Sequence, residues 1–392
     1  MKIQVLIQSL CSSLLWVALP AFGAQLQIEN PLPVDRQPEV VEVPLFEALA
    51  HLHLSLAQAN TLVARNAATK QRIPMQLYPN AQGMQPESLL LFVQLPANGK
   101  LGIEFQNDPH ASTQEPRVFG REAVERKDDF AWENQLVAYR IYGPALQATG
   151  EITSGIDVWS KRVPNFVIDS FYKRDAEGTR THNPDLSYHK DNGQGLDSYL
   201  VGPSRGCGGT AVLMDDKLDV SKNYTSLRML SSGPIRFAFE VSYAPWDAHG
   251  TMVRETKRVV LDAGTHLNQI TSTYTFDGAQ ELNLVGAVAI HEGADATFPV
   301  ANRVAAVWDT PQDASAGRIA TGLIAGPHEG ATTEQAAGHA MLVFHRRSGV
   351  PFTYYAGSGW SKADISSAAQ WEEYLKGRSA MIEKPLEVRW QK

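Results

Sequence analysis

The stretch IRFAFEVSYAPWDAHGTMVRETKRVVLDAGTHLNQITSTYTF, residues 235–276, decides the fold class. Ile235, Phe237, Phe239, Val241 and Tyr243 alternate with Arg236, Ala238, Glu240 and Ser242. Successive side chains of a strand point to opposite faces, so this period of two predicts a strand with two unlike faces. Residues 253–261 alternate in the same way, with Glu255 and Lys257 on the face of Val253 and Val259. Residues 266–276 set Ile270, Tyr274 and Phe276 against Gln269, Thr271, Thr273 and Thr275. Residues 283–291 and 341–345 are further strand candidates. Long antiparallel strands in series, each with one apolar face, imply two packed sheets.

Outward from this region the pattern changes. Residues 366–375, SSAAQWEEYL, read as a capped helix with Trp371, Tyr374 and Leu375 on one side. Residues 25–110 hold short apolar alternations, such as 26–29 and 88–93, separated by turns at 80–83 and 96–99. They predict a small β-sandwich-like domain over 24–112, followed by a large β-domain over 113–392. Residues 45–66 are ambiguous: 51–56 alternate like a strand, yet their Ala-rich flanks suit a helix. The expected fold class is therefore all-β in the main, with a few helices.

The first residues, MKIQVLIQSLCSSLLWVALPAFGAQ, combine a basic start, an apolar run broken by Pro20, and small residues at Ala21, Gly23 and Ala24. That pattern predicts a secretory signal peptide over 1–23 and an exported protein, periplasmic or secreted. The apolar run is shorter than the ~20 residues a spanning helix needs, so no membrane span is expected. Removing the leader takes Cys11 with it and leaves Cys207, which excludes an internal disulfide framework. The 392 residues carry a net charge of -7 and no Lys/Arg run, which argues against nucleic acid as a partner.

The densest polar and aromatic stretch is THNPDLSYHKDNGQGLDSYLVGPSRGCGG, residues 181–209, expected to be a long loop leading into a short strand over 197–201. It supplies Tyr188, His189, Asp191, Tyr199 and Arg205, and long loops on rigid scaffolds often hold functional groups. A second cluster, 128–146, contains Trp132, Glu133, Asn134 and Arg140 on or before a strand over 136–142. Arg140 can bind a carboxylate bidentately, or it pairs with an acid such as Glu240 or Glu255. A third cluster holds Trp159 and Lys161, where the indole either meets a sugar ring or packs beneath a surface helix. Asn223, Tyr224 and His291 complete the candidates. Cys207 sits between glycines and reads better as a small buried thiol than as a nucleophile. No cofactor is expected, although His182, His189 and Asp191 leave a bound divalent metal possible.

The strings ERKDDFAWENQLVAYRIYGPAL, YHKDNGQGLDSYLVGPSRGCGG, SSGPIRFAFEVSYAPW, ETKRVVLDAGTHLNQITSTY and YYAGSGWSKADI together resemble a bacterial family of exported proteins of unknown function, found in polysaccharide-utilisation gene clusters. The resemblance covers most of the chain from about residue 25. It implies a galactose-mutarotase-like β-supersandwich. It also implies likeness to an oligosaccharide dehydratase of ulvan breakdown, and so a uronate-containing oligosaccharide as the partner of a monomer or homodimer. Elimination from a uronate needs a base for the C5 proton, an acid for the leaving oxygen, and a cation for the carboxylate. His189, Tyr188, Arg205 and His291 are the expected catalytic groups. Trp132, Glu133, Asn134, Arg140, Trp159, Lys161, Asp191, Tyr199, Asn223 and Tyr224 are expected to bind substrate. The alternatives are a glycoside hydrolase using Glu133 and Asp191, a mutarotase-like epimerase, and a non-catalytic sugar binder with Trp132, Trp159 and Trp246 as platforms.

Overall fold

A computed structural model describes residues 23–80, 83–311 and 313–391. The expected signal peptide lies, but for Gly23, outside the described residues. The protein is mainly β, built from antiparallel sheets with few helices.

The opening stretch forms the centre of the largest sheet. Its strands run Tyr224–Ser232, Arg236–Tyr243, Thr251–Asp262, Leu267–Phe276, Phe352–Trp360, Ile319–Ala325, Val304–Asp309 and Asp295–Val300 in spatial order. Phe239 lies opposite Val259, Val259 opposite Ile270, and Ile270 opposite Tyr354, so the apolar faces line up across four strands. Against this face packs a second sheet containing Cys207–Met214, Leu282–Ala289 and His339–Arg346. The Tyr354 hydroxyl crosses between the sheets to donate to the Gly208 carbonyl at 2.5 Å. Glu255 and Lys257 do point into this core, as the alternation requires. Both are buried. Glu255 accepts from Thr210 Oγ1 at 2.6 Å and Ser272 Oγ at 2.5 Å, and Lys257 donates to the Tyr243 hydroxyl at 3.2 Å. A buried charge needs such partners to offset its lost hydration.

A third sheet carries the candidate site. Its order is Gly195–Leu196, Asp157–Lys161, Ala138–Ile141, Asp129–Asn134 and Val118–Ala123. Phe130, Trp132 and Tyr139 on one face pack against Phe237 and Phe239 of the large sheet. Ala131, Ala138 and Trp159 on the other face are covered by the helix Ile168–Thr181 through Phe171 and Tyr172.

The N-terminal region has its own core, formed by a three-stranded and a five-stranded sheet with the helix Leu45–Leu52. The ambiguous stretch resolves as that helix, a 3-10 turn over Leu56–Thr61 and the strand Leu62–Asn66. One edge of the five-stranded sheet is not local. The strand Glu387–Gln391 pairs with Gln25–Glu29, and Trp390 stacks on His51 with centroids 4.9 Å apart. The sheet thus takes its outer strand from the far end of the chain rather than from residues 24–112 alone. The expected C-terminal helix is Ala368–Glu383, capped by Ser367, whose hydroxyl accepts from the Gln370 amide at 3.2 Å.

Candidate functional site

Arg140 is the centre of the site. It faces the helix side of the third sheet, opposite Asp157 in the neighbouring strand. Its Nη2 donates to Asp157 Oδ2 at 2.5 Å and to Asp197 Oδ2 at 3.0 Å, while Asp129 Oδ2 lies 3.7 Å from Nη1. Nη1 also donates to the Tyr188 hydroxyl at 3.2 Å, and the Tyr142 hydroxyl donates to Asp157 Oδ2 at 3.0 Å. Burial works against the Arg140 charge, but Tyr142, Asp157 and Asp197 hold it firmly protonated. Arg140 therefore pairs with acids, though not with Glu240 or Glu255, and its donors are taken up within the protein.

Tyr188 and His189 are brought to this cluster by a short excursion of the chain. The Asp197 amide donates to the Tyr188 carbonyl at 2.9 Å, and His189 Nδ1 donates to the Asp197 carbonyl at 2.9 Å. Gly195 makes the return possible: its φ is +143°, and a Cβ there would stand 2.0 Å from the Ser160 carbonyl oxygen. Tyr188 stacks on Trp159 with centroids 5.3 Å apart. A carbonyl only accepts, so Nδ1 of His189 carries a proton; in the neutral ring the lone pair then lies on Nε2. Its side chain is 56 % exposed.

These groups line a cavity of about 300 Å³ that also holds Arg126, Lys127, Asp129, Tyr142, Glu151, Asp197, Tyr199 and Leu200. Asp129 is 2 % exposed, and its Oδ1 has no hydrogen-bond partner. Burial raises its pKa to about 7; Arg140 and Arg126 pull it down and Asp157 pushes it up. Burial, then Asp157, likewise pushes Asp197 well above the usual carboxylate range. Burial also raises Tyr188, whose hydroxyl stays protonated at neutral pH. Arg126 lies with its guanidinium over the Tyr188 ring at 5.7 Å. Such a combination of shifted groups in a cleft marks a functional candidate.

A second cavity of about 380 Å³ adjoins the first, since Tyr199 and Leu200 line both. His291 stands here. Its Nδ1 contacts Asp309 Oδ2, and its Nε2 contacts the Leu200 carbonyl at 2.7 Å. Both partners accept, so both nitrogens carry protons and His291 is an imidazolium rather than a base. The Asp309 hydrogen bond raises its pKa against the opposing effect of burial. The stabilisation this gives is complete below the ordinary histidine value and is lost as pH rises through the higher folded value. His291→Ala should therefore cost about 1–2 kcal/mol at pH 6 and less at pH 9, read from thermal unfolding. Equal losses at the two pH values would refute the imidazolium.

The other expected site residues are placed elsewhere. Arg205 is buried, with Nη1 donating to Ser154 Oγ at 2.9 Å, and does not join Tyr188 and His189. Glu133 and Lys161 form a buried pair at 2.6 Å, with Glu133 also accepting from the Val167 and Ile168 amides at the start of the Ile168–Thr181 helix. The carboxylate there satisfies donors that a helix start leaves open. Asn134 ties its own turn to the Asp262 and Thr265 carbonyls at 2.7 Å each. Trp132 and Trp159 are fully buried, the latter beneath that helix, so neither is a sugar platform. Trp246 is half-buried and packs edge-on to Tyr274.

Asp191 pairs with Arg162 near the surface, whereas the Glu133 carboxylate is fully buried against Lys161 and so is not open to a sugar as the alternative hydrolase reading requires. Asn223 accepts from the Thr153 amide at 2.9 Å, and Tyr224 donates to the Asp128 carbonyl at 2.6 Å; both are buried supports. Cys207 is buried, and burial pushes its thiol up. Among the described residues no group of three His, Cys, Asp or Glu is placed to hold a metal ion, and His182, His189 and Asp191 do not form one.

A family model described as "Domain of unknown function (DUF4861)" matches residues 28–388. "Uncharacterized protein P7" of Formosa agariphila is 29 % identical over 382 residues, covering 93 % of this chain and 92 % of its own. An alpha-mannosidase from Enterococcus faecalis V583 is similar at TM-score 0.47 and 10 % identity, covering 94 % of this chain and 46 % of that one. A protein in glycosyl hydrolase family 38 from Enterococcus faecalis is similar at TM-score 0.49 and 11 % identity, covering 95 % and 47 %. The chain spans about half the length of these two solved structures.

Proposed function

The chain belongs to the DUF4861 family, and from that premise we propose that it is an exported carbon–oxygen lyase acting on uronate-containing oligosaccharides. It removes water (a dehydratase) or a glycosidic alcohol (a lyase) and leaves an unsaturated uronate. The observation that carries this reading is the cavity that a carboxyl of pKa about 7, Asp129, shares with Tyr188, His189 and Arg126. The resemblance to a dehydratase of ulvan breakdown supports the same chemistry, and the leader pattern of residues 1–23 supports export.

The roles follow from protonation state. The unprotonated Nε2 of His189 takes the C5 proton of the uronate. The electron pair left on C5 forms the C4=C5 double bond as the C4–O bond breaks. Protonated Asp129 gives its proton to the departing oxygen, with the Tyr188 hydroxyl as a second donor. Asp129 is then a carboxylate and His189 an imidazolium, and exchange with water restores both. The C5 proton is acidic only when the adjacent carboxylate is neutralised. Arg140 is taken up by its own acids, so that task falls to Arg126 and Lys127 at the rim.

Incubating the purified protein with ulvan, pectin and glucuronan fragments should produce the ultraviolet absorbance of an unsaturated uronate. New reducing ends without that absorbance would indicate hydrolysis and overturn the proposal, as would no turnover of any fragment.

A further inference from the structure

We propose that the cavity beside His291 is the subsite for the sugar next to the reacting uronate, and that it takes an uncharged sugar. This rests on the elimination reading for the neighbouring cavity but makes a separate claim about substrate class. Three observations carry it.

The first is continuity. The two cavities share Tyr199 and Leu200 as a common wall, so a chain of two sugars can occupy both. The second is unspent hydrogen-bonding capacity. Asp309 is 2 % exposed and lines the second cavity; Oδ2 is held by His291, but Oδ1 has no partner. The Ser198 hydroxyl in the same wall is also buried without a partner. The Tyr199 hydroxyl, beside an equally unsatisfied Thr321, makes no well-formed hydrogen bond. Buried polar atoms are normally paired, and an acceptor left open in a cavity wall is suited to a ligand hydroxyl.

The third is charge. The first cavity sets Arg126, Lys127 and Arg140 among its acids. Among the described residues the second is lined by Asp309 and Glu292 against His291, whose charge is committed to Asp309 and the Leu200 carbonyl, while Arg318 outside the lining donates to Thr310. A carboxylate or sulfate seated there would meet two like charges, with His291 and Arg318 already engaged by Asp309 and Thr310. A neutral sugar would offer hydroxyls to Asp309 Oδ1 and Ser198. The apolar Ile319 and Pro311 in the same lining suit the C–H face of a pyranose. The site is thus built for an oligosaccharide in which a uronate is followed by a neutral sugar, and against a run of uronates.

Calorimetric titration of the whole protein with two tetrasaccharides tests this. One alternates uronate with neutral hexose, and the other is uronate throughout. The alternating ligand should bind about tenfold more tightly. Glu292 is exposed and carries no catalytic role, so Glu292→Lys should fold normally and strengthen binding of the all-uronate ligand about fivefold. Equal affinities, an unaltered preference in Glu292→Lys, or no binding of either ligand would overturn the subsite. The two proposals fail separately. Selective binding without unsaturated product overturns elimination and leaves the subsite. Unsaturated product from both ligands with equal affinity does the reverse.

Discussion

Replacing Asp129 with Asn should lower turnover of a uronate oligosaccharide about 10²–10⁴-fold, the usual contribution of a positioned general acid. The change keeps shape and removes only the exchangeable proton, so KM should move little. The activity of the unaltered protein should fall as pH rises through about 7, where Asp129 loses its proton, and the variant should lack that arm. The substitution should raise stability while it lowers activity. The folded carboxyl holds its proton up to about pH 7, whereas the unfolded one releases it near 3.8. Between these values the folded state binds more protons, so stability falls as pH rises. At about 1.4 kcal/mol per unit, the penalty above pH 7 is about 4 kcal/mol. An Asn does not ionise, so Asp129→Asn should be more stable than the unaltered protein at pH 8 and nearly equal to it at pH 4. Turnover within about threefold of the original, or equal denaturant stability at pH 8, would refute this account of Asp129.

Arg140→Met should be the most destabilising single change at the site, by about 3–5 kcal/mol at pH 8. The reason is the charge left behind rather than the contact removed. Asp157 and Asp197 are almost wholly buried and both bond to this guanidinium. Taking out one partner of a buried ion pair strands the other without water or counter-charge. The loss should shrink as pH falls and Asp197, which burial holds well above the usual carboxylate range, takes up a proton. Urea unfolding at pH 8 and pH 5 measures both effects, and a loss below about 1 kcal/mol at pH 8 would show that the acids find other partners. Activity should also be lost, because Arg140 holds the Tyr188 hydroxyl.

The fold was legible because burial writes itself as period. The alternation through Phe237, Phe239 and Val241 reappears as one continuous inner face, and even the awkward Glu255 and Lys257 stand where it places them. The helix Ile168–Thr181 was not legible. Of its fourteen residues only Ile168, Phe171, Tyr172 and Gly178 are buried, too thin a stripe to stand out from a polar segment. Missing that helix hid three roles at once. Glu133 and Lys161 read as substrate contacts until a helix start is laid over them, and the two readings of Trp159 stay open until Phe171 and Tyr172 cover it.

The site was half legible for a related reason. Tyr188 and His189 are neighbours in the chain, and their closeness needs no folding to see. Asp129, Arg126 and Asp197 meet them only through cross-strand register and the turn at Gly195. The Arg126-Lys-Asp-Asp129 run just ahead of a strand was the signal available, and charge runs at strand starts are common enough to pass as solvated surface.

The pairing of Glu387–Gln391 with Gln25–Glu29 has a bearing on how the chain is made. A ribosome delivers Gln25–Glu29 among the first described residues and Glu387–Gln391 among the last. Throughout that interval Gln25–Glu29 can bond to Lys100–Asn107 on one side only. Its other side is an open row of amides and carbonyls, able to template pairing with any extended segment, including the same strand of a second nascent molecule. The sheet that opens the described residues is therefore completed by the last described strand, and whatever delays synthesis of Glu387–Gln391 prolongs the time in which two chains can join instead of one closing on itself.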